Sequence, residues 1–138
     1  MRITLCLAFG AMLVALACNK DDDSASNCAK LQGKWEATSW KEDDEEFFGD
    51  TIFIKSSVLE FQALEGNQGD VDWMINYTLG GLQDVFGSYE VNESCDEVTI
   101  TPKSGAPTTY SFNIEGEKLT LESHDFNVHV VQEYNRSE

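Results

Sequence analysis

The sequence is short of positive charge. Nine Lys and Arg residues stand against 25 Asp and Glu, a formal net charge of −16. Binding nucleic acid requires clustered Lys and Arg to neutralise phosphates, so a nucleic-acid partner is excluded. The acidic surface disfavours contact with anionic lipid and keeps a domain soluble. Histidine is scarce too, with only His124 and His129 available as imidazole bases or ligands. No His/Cys spacing fits a zinc site, and Asp21–Asp23 lacks the Gly and distal Glu of an EF-hand. No Ser or Cys stands in a nucleophile motif, and carboxylate pairs in so acidic a chain read as a solvated face. The expectation is no enzyme, no metal and no cofactor.

Long apolar runs are missing beyond the N-terminus. Residues 3–17 follow Arg2 and are apolar or small throughout. The run is shorter than the roughly 20 residues that span a bilayer, and it ends in small side chains. Residues 1–17 therefore read as a cleaved signal peptide. Their removal takes away only Arg2 among charged residues, moving the charge from −16 to −17. Ala15-Leu16-Ala17-Cys18 resembles a bacterial lipobox, with Ala15 where Leu is usual. The resemblance implies acylation of Cys18 and a membrane anchor there. Each buried CH₂ contributes about 0.8 kcal/mol, so several chains hold firmly.

Residues 18–27 lack apolar periodicity and read as a solvated acidic tether. Lys20-Asp21-Asp22-Asp23 resembles the export signal of surface-exposed lipoproteins in certain Gram-negative bacteria, implying an outer-membrane, cell-surface location. The alternative is a flexible linker with no address. Asp23-Ser24-Ala25 and Asp50-Thr51-Ile52 resemble a short bacterial O-glycosylation sequence; unmodified loop residues are the alternative. Of the four cysteines, Cys6 leaves with the signal and Cys18 takes the lipid, so Cys28 and Cys95 remain. In an exported protein that pair points to a disulfide, worth about 4 kcal/mol on the chain-entropy model.

Residues 28–138 form the expected domain, and their apolar pattern has a period of 2. Trp35, Ala37 and Ser39 share a face opposite Glu36, Thr38 and Trp40. Lys41–Asp50 reads as a long acidic loop ending in Phe47-Phe48-Gly49. Leu59, Phe61 and Ala63 alternate, as do Val71, Trp73, Ile75, Tyr77 and Leu79. Leu82–Phe86 reads as a short turn of helix. Further inward sets are Tyr89/Val91, Val98/Ile100, Tyr110/Phe112/Ile114, Leu119/Leu121 and Val128/Val130/Gln132/Tyr134. His129 falls on the solvent face between Val128 and Val130. About eight short strands with short connections predict an antiparallel up-and-down β-barrel, whose closure removes sheet edges. A β-sandwich is the alternative, but it needs a long crossing connection. In such a barrel alternate turns lie at opposite ends. Cys28, before the first strand, and Cys95, after the fourth, then share an end, as a disulfide requires.

Gly33-x-Trp35, the strand meander and the lipoprotein head resemble the lipocalin-like lipoproteins, a branch of the calycin-type barrels. The resemblance covers roughly residues 28–138. Gly33 and Trp35 match the first lipocalin motif. The second, Thr-Asp-Tyr, has no counterpart at Glu115–Glu117, and Arg136 is placed for the third, an Arg packed on the Trp. The family implies a cup closed near Trp35, open at the other end, and suited to small apolar ligands.

The open end would carry Lys41–Ile54, Gly80–Phe86, Lys103–Pro107 and His124–Asn127. The ligand-lining candidates are Trp35, Phe61, Trp73, Tyr77, Tyr110, Phe112, Phe47, Phe48, Phe86 and Phe126, with Leu82 beside them and His124 as a polar group. The inward list also includes Tyr89 and Tyr134, and so many large rings are enough to fill the barrel solidly. Two functions follow for a monomeric domain. One is an anchored carrier of a small hydrophobic ligand. The other is a filled barrel that contacts an envelope or host protein through its outer face or acidic loops.

Overall fold

The computed structural model describes residues 27–49, 53–125 and 127–138, with the side chain of Asp125 left out. The signal, the acylation site, nearly all of the tether and both glycosylation sequences lie outside the described residues. A helical turn over 27–31 leads into nine strands. They are β1 (Gly33–Glu42), β2 (Glu45–Glu46), β3 (Ile54–Phe61), β4 (Gln68–Tyr77), β5 (Leu82–Val91), β6 (Glu97–Pro102), β7 (Thr108–Glu115), β8 (Lys118–Asp125) and β9 (Val128–Ser137). Apart from the two-residue β2, each pairs antiparallel with the next, and β1 also pairs with β9. The fold is thus a closed eight-stranded up-and-down barrel with one extra strand. The β1–β9 ladder is what a sandwich would lack.

The closed end is held by one side chain. The Arg136 guanidinium lies over the Trp35 ring, its carbon 4.1 Å from the centroid. It donates to the Gln32 carbonyl at 3.0 Å and the Lys30 carbonyl at 2.5 Å, and its Nε meets Glu117 at 3.0 Å. Trp35 Nε1 donates to the Leu31 carbonyl at 2.8 Å. Gly33 is needed twice over. Its φ is +112°, and a Cβ there would stand 2.9 Å from Arg136 Nη1. Gly33, Trp35 and Arg136 therefore act as one unit that bolts the helical turn and the last strand onto the first. The Cys28–Cys95 disulfide adds a covalent tie from that turn to the β5–β6 connection.

Several elements differ from the sequence expectation. Lys41–Asp50 is not simply a loop: β1 continues to Glu42, turns through Asp43 and Asp44 at φ 49° and 68°, and returns as β2. Both central residues are in the left-handed region, which Asp tolerates better than most. Thr38 is an extra residue in β1. Ala37 pairs with Tyr134 but Ser39 pairs with Glu133 and Trp40 with Gln132. A bulge of this kind reverses side-chain alternation. Beyond it Trp40, not Ser39, enters the barrel. Ser39 instead donates to Glu46 Oε2 at 2.7 Å, while the Trp40 and Phe48 amides donate to Oε1 at 2.9 and 3.1 Å. Burial opposes ionisation of Glu46, but these bonds together outweigh it and hold its pKa below the ordinary value.

Leu82–Phe86 is the first half of β5 rather than helix. The Gly80-Gly81 turn (φ 87° and 126°) delivers it straight back along β4, in register from Asn76↔Leu82 to Trp73↔Val85 and beyond. Five residues cannot meet the nucleation cost of a helix when a ready partner strand lies alongside. Leu79, placed inward by alternation, is 93% exposed because β4 ends at Tyr77, and Ala63 is exposed because β3 ends at Phe61.

On the outer face, Asp72 pairs across from Glu60 and lies near Asp84. Its Oδ1 is buried with no donor among the described residues. Burial, then the Asp84 carboxyl, and Glu60 raise the Asp72 pKa. Arg136→Ala should lower unfolding free energy in urea by about 2–4 kcal/mol, from lost cation–π contact and charged hydrogen bonds. Arg136→Lys should restore less than half, since an ammonium lacks the planar fork. A carboxyl whose folded pKa is raised favours the fold below its unfolded pKa, and that contribution fades as pH rises through the folded pKa. Asp72→Asn should therefore stabilise by a few tenths to about 1 kcal/mol at neutral pH. The gain should vanish below the unfolded Asp pKa, as thermal melts across pH would show.

Candidate functional site

The two ends of the barrel are built differently. At the closed end Leu31, Trp35, Phe61 and Tyr89 are essentially inaccessible, and the Phe61 and Tyr89 rings meet edge to face at 4.8 Å. The Tyr89 hydroxyl donates to the Gln62 carbonyl at 2.5 Å, and burial pushes its pKa up to about 12. In the middle the interior carries polar groups that satisfy one another. Trp73 Nε1 donates to Ser57 Oγ at 2.9 Å, and the Tyr134 hydroxyl donates to Gln132 Oε1 at 2.7 Å. Chiefly through burial, the Tyr134 hydroxyl is held neutral well above its usual range.

The β1–β9 side of the open half is filled. Trp40, turned inward by the bulge, stacks on Trp73 with centroids 5.9 Å apart and planes 27° from parallel. The other side is not filled. A cup of about 160 Å³ opens between the upper parts of β4 to β7, lined by Trp73, Ile75, Gln83, Val85, Ile100, Pro102, Thr108 and Tyr110. Every one of these positions has inward parity on its strand: 73 and 75, 83 and 85, 100 and 102, 108 and 110. The lining is aromatic and aliphatic, with neutral polar groups that include the Gln83 amide and the Thr108 and Tyr110 hydroxyls. Tyr77 stands at the rim, its hydroxyl donating to Gln83 Oε1 at 2.7 Å and its ring edge to face with Phe53 at 5.2 Å.

The candidate residues thus separate. Trp73 and Tyr110 line the cup and Tyr77 edges it. Trp35 and Phe61 belong to the closed-end plug, and Phe112 is buried in the core away from the cup lining. Phe48 packs against the core beside β2, and Phe47 is half-buried there. Phe86 and Leu82 do not line the cup. Strand parity turns them outward, 49% and 61% exposed, and brings Gln83 and Val85 inward. Phe126 lies outside the described residues. His124 is not a cup group either: it stands exposed on the outer face of β8, stacked on its cross-strand partner His129 at 4.5 Å. His129 is held at Nε2 3.5 Å from Glu122. Ile75 and Ile100, inward by alternation, also line the cup although they are not among the lining candidates, and Gln83, Val85, Pro102 and Thr108 were missed altogether. Extending the strand period back from Tyr89 and Val91 to 85 and 83 was the signal available for two of them. Among the described residues, no group of three His, Cys, Asp or Glu is arranged to hold a metal ion.

No protein-family model matches the sequence, and no curated protein matches it. Solved structures match the fold. A redesigned β-barrel aligns with a TM-score of 0.61 at 13% identity, over 81% of this chain and 96% of its own. Lobster apocrustacyanin A1 aligns with a TM-score of 0.59 at 14% identity, over 84% of this chain and 66% of its own. The siderocalin Ex-FABP aligns with a TM-score of 0.55 at 13% identity, over 78% of this chain and 74% of its own. At such identities the likeness is one of fold, and fold does not dictate function. The structure is that of a lipocalin-like β-barrel, closed at one end by Trp35 and Arg136 and open at the other as an apolar cup.

Proposed function

We propose that the protein is a non-catalytic binding barrel that takes a small hydrophobic ligand in its open-end cup. The observation that carries this is the unfilled, apolar space against Trp73 and Tyr110 in an otherwise packed interior. Apolar concavities with few polar groups are the usual form of a small-molecule site. Barrels of the same fold give general support: one redesigned barrel has been solved bound to DFHBI, and Ex-FABP functions through dual ligand specificities. A second reading rests on the exposed apolar side chains of Phe53, Leu79, Leu82, Phe86 and Met74 toward the open half. Such a patch suits contact with an envelope or host protein.

The N-terminal sequence supports an anchored setting. In this reading Cys18 is acylated, residues 19–27 form the tether, and the barrel is displayed from the outer membrane at the cell surface. Two measurements test the proposal. In native mass spectrometry of the mature chain (residues 18–138) carrying Cys18→Ser, which bears no acyl group, in detergent-free buffer, a reproducible adduct mass is expected. It should be lost in Ile100→Trp, which fills the cup, with the melting temperature little changed. A clean unliganded mass, with no uptake from a lipid extract, would favour the protein-contact reading. In Gram-negative cells fed an alkyne fatty acid, label should enter the chain and disappear in Cys18→Ser, and protease added to intact cells should remove the barrel. Unlabelled wild type would refute the anchor, and full protection of an intact, labelled barrel would refute surface display.

A further inference from the structure

The cup sits beside a break in the barrel wall. β4 and β5 pair along their whole upper length, up to Asn76↔Leu82. β5 and β6 pair only from Val91↔Val98 to Gly87↔Pro102. Above Gly87, among the described residues, residues 82–86 have a strand partner on one side only, although the Lys103 amide still reaches the Phe86 carbonyl at 2.8 Å. Gly87 marks where the strands part. A Cβ there would lie 2.2 Å from the Thr101 carbonyl oxygen, so the two backbones cross closely and then separate. A second depression, of about 250 Å³, lies over this break and shares Gln83, Val85 and Pro102 with the cup. Its other walls are Asp84, Phe86, Lys103 and Ser104, so it is polar where the cup is apolar.

Three limits act on an occupant. The first is size. The cup's 160 Å³ is close to the roughly 150 Å³ apolar cavity that takes one benzene, and far below the ~300 Å³ at which drug-sized pockets begin. The second is depth. Trp40 stacked on Trp73, with the packed interior beneath, leaves no channel for a long chain to descend. The third is charge. No Lys, Arg, Asp or Glu lines the cup, so a charge placed there would go unpaired.

We propose, building on the ligand-binding reading, that the ligand is a molecule with one small uncharged ring and a neutral polar substituent. The ring sits against Trp73 and Tyr110. The substituent leaves sideways through the β5–β6 break, across the Gln83 amide, to the mixed donors and acceptors of Lys103, Ser104 and Asp84. Fatty acids and other long-chain anions are rejected.

Isothermal titration of the mature chain (residues 18–138) carrying Cys18→Ser, which bears no acyl group, in detergent-free buffer tests this with three probes: toluene, N-benzylacetamide and palmitate. N-benzylacetamide should bind 1:1, several-fold more tightly than toluene, and palmitate should not bind. Lys103→Ala should weaken N-benzylacetamide two- to five-fold and leave toluene unchanged. Ile100→Trp or Val85→Phe, whichever melts like wild type, should abolish both. Palmitate bound 1:1 and displaced by either cup-filling variant would overturn the size and charge inference while leaving ligand carriage standing. Equal affinity for the two ring probes, both blocked by cup filling, would overturn the side exit alone. No binding of either ring probe, with an adduct still carried in native mass spectrometry, would overturn the ring inference alone; no probe binding and no adduct would overturn the ligand-binding reading itself.

Discussion

The structure depends on the stacking of Arg136 over Trp35. That contact fixes the meeting of the first and last strands, which is the step that turns a sheet into a barrel. It also satisfies the carbonyls of the short helical turn, since the same guanidinium reaches Lys30 and Gln32. Stacking and hydrogen bonding use different parts of one planar group, so neither is gained at the other's expense. The requirement travels back to Gly33, the position where a side chain would collide with that group. A two-residue motif near the start of the domain and a single Arg near its end are therefore one object, separated by about a hundred residues of strand.

From that bolt outward the interior changes character in steps. The closed end is packed rings, the middle is a self-satisfied polar layer, and the open end is only partly filled. The asymmetry comes from β1. One extra residue at Thr38 reverses its alternation, brings Trp40 inside and sets it against Trp73. The half of the mouth near β1 and β9 is filled by that stack, and the space left over is displaced toward β5 and β6. There the wall is thinnest, because β5 runs on beyond its partner. The off-centre cup and the break beside it are thus consequences of a single inserted residue and a strand-length mismatch.

Much of this architecture was legible in the sequence. The period-2 sets from Val71 to Tyr134 gave the meander, and the Cys28–Cys95 pairing was consistent with it because both cysteines belong to the same end. The Gly33, Trp35 and Arg136 positions carried the closed end. What was not legible depended on register between strands rather than on order within one. The bulge at Thr38 leaves no mark in composition, so Trp40 was assigned to the wrong face. The upper half of β5 carries Leu82 and Phe86 on one parity and only Gln83 and Val85 on the other. Its most apolar residues point to solvent, and the face that lines the cup carries the weaker signal. His124 misled for a related reason, as its neighbours in sequence are not its neighbours around the cup.

The ends of the described barrel share one pole. Residues 27–31 and Ser137 both lie beside Trp35, with Ser137 paired to Lys34. Whatever is joined to either end, whether a tether, a tag or a solid support, attaches at the sealed base and leaves the mouth facing away from it. Immobilising this barrel by a terminus therefore orients it: the opening faces the medium, and the surface it is fixed to cannot obstruct it.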